Sequence, residues 1–149
     1  MSYETYKILH LLGLTLVVLS LGGILVHVIN GGSKASNGFR KGVMITHGVG
    51  LLLLLVAGFG MLAKLGIHSF PAWVGGKLVI WLALGAFVGV AYKSQRLARK
   101  LWIVVPVLVV LAAYLAIAKP FMGSEAATPP AQLSGTSLFA PEAPAQQLG

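Results

Sequence analysis

The sequence predicts an all-α fold, a bundle of four transmembrane helices with both termini on the outer side and an irregular C-terminal tail. Three observations carry this prediction. The 149 residues are 57% hydrophobic and only 9% charged, with a mean hydropathy of +0.89, which leaves too little polar surface for a soluble domain. The apolar residues gather into four long runs, each sufficient to cross a hydrocarbon core of about 30 Å. Lysine and arginine fall mainly between the runs, where they act as topology signals. Lipid offers no partner to backbone N–H and C=O groups, so each run reads as a helix.

Span one covers residues 5–29. His10, Gly13, Val17, Ser20, Ile24 and His27 recur there at alternating steps of three and four, which places small and polar side chains on one helical seam. That seam is the face expected to meet the other helices. The leader before it holds Glu4 as well as Lys7, and no small-residue cleavage pattern follows, so the segment reads as a retained helix rather than a signal peptide. Span two covers residues 43–65, span three residues 72–92 and span four residues 101–118. Gly48, Gly50, Gly58 and Gly60 in span two, with Gly85 and Gly89 in span three, suit close helix approach. Pro106, in the second turn of span four, suits a kink. Trp73 and Trp102, at the starts of spans three and four, fit interfacial anchors.

The first loop carries Lys34, Arg40 and Lys41, and the third connection, KSQRLARK, carries Lys93, Arg96, Arg99 and Lys100. By the positive-inside rule these seven cations face the cytoplasm, which puts both termini outside and suits a bacterial inner membrane. Lys7, Lys64 and Lys119 lie near the opposite ends. Residues 1–119 therefore read as a membrane domain and residues 120–149 as a Pro/Ala-rich tail that cannot build a core. Its apolar patch SLFAP, residues 137–141, is the expected point of attachment to a partner protein. The net charge of +8 comes from loops and forms no basic stripe with interleaved exposed aromatics, so nucleic acid is not the expected partner. The absence of cysteine excludes disulfides and thiolate metal sites.

Ionisable groups within spans are the natural functional candidates, because holding them in a bilayer is costly. If span one ends near residue 29 and span two restarts near residue 43, residues of equal depth can be counted at ~1.5 Å per residue. His27 then falls level with Met44 and His47, and His10 beside Met61. Carried into span three, the count sets Tyr92 beside Met44 and Lys77 level with Phe59. Two polar layers are expected: His27, Met44, His47 and Tyr92 on the inner side, and His10, Met61 and Lys77 on the outer. Facing histidines, or histidine with methionine, are what a b-type haem requires of two helices. Directly packed helices, 8 to 10 Å apart by general rule, would leave no room for the ring. Each residue also has a plainer role. The methionines suit gap filling, Lys77 can snorkel to the interface, His27 and His47 can simply hydrogen-bond between helices, and His68 sits in a solvated loop.

The strings KILHLLG in span one, THGVGLLLLLVAGFG in span two and FPAWVGGKLVIWLALG in span three resemble the SirB-like membrane proteins and, more distantly, the HemJ and CopD groups. The similarity covers roughly residues 5–118. It implies a compact helical bundle. For HemJ-like members it further implies haem binding and protoporphyrinogen oxidation, with a span-one histidine and a span-three lysine important. Those positions correspond here to His10 and Lys77.

Three functional classes follow. The first is an accessory or structural subunit of a larger membrane complex, of an energy-converting or respiratory kind, with its tail lying on a partner and no catalytic residue of its own. The second is a b-type haem-binding protein for electron transfer, using His27 with His47 or His10 with Met61. The third is a HemJ-like protoporphyrinogen oxidase acting near His10 and Lys77. A proton or ion transporter is disfavoured, because no Asp or Glu lies within a span.

Overall fold

The computed structural model describes residues 1–67 and 71–118. The expectations for His68, Lys119 and the tail at residues 120–149 lie outside these. The described residues form four α-helices: α1 (Tyr3–Ile29), α2 (Arg40–Lys64), α3 (Ala72–Ala91) and α4 (Gln95–Ala118). All four are long and apolar enough to cross a membrane. The chain is thus a helical bundle with the character of an integral membrane protein.

Local chemistry sets the helix ends. The Ser2 hydroxyl accepts from the Thr5 N–H at 3.2 Å and starts α1. At its other end Gly31 takes φ +88°, Gly31 N–H reaches Val28 O at 3.0 Å, and Gly32 N–H reaches His27 O at 2.9 Å. This paired closure needs a left-handed residue that glycine alone adopts without strain. Gly66, at φ +67°, closes α2 in the same way, with Ile67 N–H on Leu62 O. Pro71 precedes α3, where its missing N–H removes one unsatisfied donor.

The start of α4 corrects the expected boundary. Ser94 accepts from Leu97 N–H at 3.2 Å, and its cap draws Arg96, Arg99 and Lys100 out of the expected loop into the first turns of the helix. Hydropathy had marked only the apolar part of α4, whereas the cap decides where the helix begins.

α1 is the hub. It packs most extensively on α2 and also meets α4 and α3, while α3 packs chiefly on α4. Among the described residues α2 and α4 do not meet, so the helices follow one another around the bundle in chain order. Val17, Leu21 and Ile24 are completely buried, and the core continues through Leu54, Ile80, Leu84, Val88, Leu101 and Val105. The predicted seam is the buried face at Gly13, Val17, Ser20 and Ile24.

The closest approach is between backbones. A Cβ added to Gly13 would lie 2.8 Å from Leu54 N and 2.9 Å from Gly50 O, and one on Gly50 would lie 2.9 Å from Gly13 O. Only glycine at both positions permits this crossing. Gly60 lies under the Tyr6 ring and Gly85 against Leu51, but Gly48 and Gly89 have open space around them. The expected small-residue contacts are therefore made by Gly50, Gly58, Gly60 and Gly85, and not by Gly48 or Gly89.

This crossing sets a different register from the one counted through the loop. Gly13 stands opposite Gly50, and Ser20 opposite His47. Relative to the count, α2 is displaced along α1 by about two turns, roughly 10 Å. The cause is the connection between them. It folds back over the end of α1, with His27 Nε2–H donating to Ser33 O at 2.9 Å, so that α2 begins at Arg40 already alongside α1. Between α2 and α3 the count agrees with the packing, since Trp81 and Gly85 both meet Leu51.

Candidate functional site

One face of α2, turned to α1 and α3, carries a column of polar contacts at His47, Leu51 and Leu54, steps of four and three along one stripe. At its basic end, where α1 finishes, the Ser20 hydroxyl donates to Val17 O at 2.9 Å and lies 2.9 Å from His47 Nδ1. A carbonyl only accepts, so the single hydroxyl hydrogen is committed to Val17. His47 then donates through Nδ1–H, and its ring also faces the Leu84 backbone of α3. His47 is only 4% exposed, and its Nε2 has no hydrogen-bond partner among the described residues.

In the middle of the column the Trp81 indole N–H donates to Leu51 O at 2.9 Å and ties α3 to α2. Removing this bond by Trp81→Phe leaves Leu51 O its helical partner. It should lower stability by about 1 kcal/mol, read as an earlier midpoint in SDS unfolding. Ser20→Ala strands a buried imidazole N–H instead, and should lower stability by about 1–3 kcal/mol in the same assay.

At the far end, His10 Nδ1–H donates to Leu54 O at 3.0 Å, which fixes the tautomer and leaves the lone pair on Nε2. Gly58, one turn further along α2, lies beneath the His10 ring; a Cβ there would stand 3.5 Å from Cε1. Lys77 lies within electrostatic reach of His10, and its Nζ sits 4.8 Å from the centre of the Trp73 ring. Trp73 is 6% exposed, and its Nε1–H has no hydrogen-bond partner among the described residues. It is buried under Lys77 rather than set out in the interface as an anchor. Trp102, 49% exposed, stands on the outside of the bundle.

The structure thus leaves His10 and Lys77 at the same end of the bundle, within electrostatic reach of each other. Met61, half-buried, stands one turn beyond Gly58 on the same face of α2. It does not bring His27 and His47 together: His47 pairs with Ser20, two turns before His27, and His27 is tied to the loop through Ser33 O. Met44 is 44% exposed, and the Tyr92 hydroxyl accepts from Asn37 Nδ2 at 2.9 Å. The expected inner layer is dispersed by the α1–α2 register. Ser20, Trp73, Trp81 and the carbonyls of Leu51 and Leu54 complete the column. Of these Ser20 had a sequence signal in its place in the seam and Trp73 in its place at the start of span three, where it suits an interfacial anchor; Trp81 and the carbonyls had none. Among the described residues no group of three or more His, Asp or Glu side chains is placed to hold a metal ion by itself.

Comparison with protein-family models, with curated proteins and with solved structures gives no match.

Proposed function

We propose that this chain is an integral membrane protein that binds a haem-type macrocycle at the far end of the α1–α2–α3 junction, with His10 as ligand. The observation that carries this reading is the His10 ring, whose Nδ1–H is held by Leu54 O so that Nε2 offers an oriented lone pair. Histidines that ligate iron are held in this way, by a carbonyl on the ring nitrogen that does not face the metal. The remaining groups suit the rest of such a molecule. The Lys77 ammonium and the Trp73 N–H would suit a propionate carboxylate. Iron bound there would supply one-electron chemistry. The chain itself orients the imidazole and would receive the carboxylate at Lys77.

A macrocycle between His27 and His47 does not fit. His47 is held by Ser20, two turns before His27 on α1, and the His27 Nε2–H is spent on Ser33. Resemblance to the SirB-like and HemJ proteins supports the His10–Lys77 end, and extends the reading to a porphyrinogen as substrate there. In this reading the seven cations face the cytoplasm of a bacterial inner membrane. The test is the visible spectrum of the detergent-purified protein from haem-replete cells, oxidised and then reduced. A Soret band that shifts on reduction supports the proposal, and its absence rejects it.

The second reading is an accessory subunit of a larger, energy-converting membrane complex. It is favoured by α4, whose exposed apolar face runs from Trp102 through Val107 and Val110 to Ile117. Purification in mild detergent should then yield a stoichiometric partner, held less firmly once residues 123–149 are deleted. A monodisperse single chain contradicts it.

A further inference from the structure

We propose that one face of α4 binds an acidic phospholipid, with its phosphate at Arg96, Arg99 and Lys100 and an acyl chain along Ile103 and Val104. An open surface lies there, formed by these five residues and Gln95 on the outside of α4. Steps of three and four place the five on a single helical face. The face turned into the bundle is different, with Ala98, Leu101 and Val105 buried.

The depth of each group fits this occupant. α4 has 24 residues, a length of about 36 Å against a hydrocarbon core of about 30 Å. Its first turns therefore stand at the level of the lipid phosphates. Descending the face, three cations are followed by Ile103, 64% exposed, and Val104, 38% exposed. That is the order of groups in a phospholipid. Arginine pairs with phosphate through two parallel N–H donors, and Lys100 adds a point charge. The one carboxylate side chain among the described residues, Glu4, lies at the opposite end of the bundle, so no described acid competes for these cations. Topology alone asks only for cations somewhere at this end. Three of them on one stripe above the exposed side chains of Ile103 and Val104 define a site. The inference is independent of the His10 site.

The test titrates the full-length protein in mild detergent with phosphatidylglycerol, phosphatidylcholine or inorganic phosphate, reading bound lipid by native mass spectrometry and the thermal midpoint. Phosphatidylglycerol should bind saturably and raise the midpoint, and the other two should not. The triple variant Arg96→Gln, Arg99→Gln, Lys100→Gln should weaken binding by about fivefold per cation, on the order of 100-fold together. A control removing the same charge from the same end, Lys34→Gln, Arg40→Gln, Lys41→Gln, should weaken it by less than about tenfold. Equal losses in the two triples would overturn the site, as would equal binding of phosphatidylcholine. An equal midpoint shift with inorganic phosphate would replace the lipid by a free anion and overturn the proposal. If the triple variant fails to insert, Arg96→Gln and Lys100→Gln taken singly carry the same comparison, each expected to weaken binding about fivefold against a smaller loss for Lys34→Gln.

Discussion

Gly13→Val is expected to break the α1–α2 crossing and to be among the most damaging single substitutions in the bundle. The first added carbon would stand 2.8 Å from Leu54 N and 2.9 Å from Gly50 O, both backbone atoms of a facing helix that cannot rotate away. The helices must separate, and the separation loosens Ser20 from His47 and His10 from Leu54 as well. A loss of about 3 kcal/mol or more follows from overpacking of this kind. It is read as a lower SDS midpoint and, where it exceeds the available stability, as failure to accumulate. Gly48→Ala serves as the control, because nothing lies within 4 Å of the added carbon. Relief of helical glycine entropy should leave that variant unchanged or stabilised by about 0.5–1 kcal/mol. Equal damage from the two would show that the helices do not cross at Gly13 and Gly50.

His10→Ala is expected to remove the haem spectrum while leaving the bundle folded. Leu54 O keeps its helical bond when the imidazole is lost, so the structural penalty is small. Loss of the ligating nitrogen should lower affinity by at least 100-fold on an order-of-magnitude basis, since loss of outer-shell partners alone costs about 10–100-fold. His47→Ala should keep the spectrum and instead lower stability, because His47 is buried at the Ser20 end of the column, about 10 Å along α2 from Leu54. Lys77→Met should weaken binding but keep the band position. A spectrum lost with His47 and retained without His10 would move the ligand to the other end and refute the assignment.

The four helices were legible because apolar runs of this length leave the backbone no other structure in lipid. The seam of α1 was legible for a related reason: small and polar residues at steps of three and four name the face that packs, and Gly13, Val17, Ser20 and Ile24 are all buried. Depth counting set His10 and Lys77 in one outer layer, and its α2–α3 part agrees with the packing whereas its α1–α2 part is displaced. The pairing of His27 with His47 failed on one assumption, that the first loop joins two helix ends at equal depth. Hydrogen bonds from His27 and Gly32 fold that loop back along α1, and neither a hydropathy profile nor a loop length records them.

Composition and periodicity by themselves determined the number of helices, their approximate bounds, the buried face of α1 and the end of the bundle where the cations gather. These are consequences of local sequence acting against lipid and water. Which polar groups meet was decided only by the tertiary structure. The α1–α2 register depends on where two glycine backbones can touch, and a shift of two turns exchanges every partner along the interface. That contact gives His47 to Ser20, Leu54 O to His10, and the lone pair of His10 its setting beside Lys77.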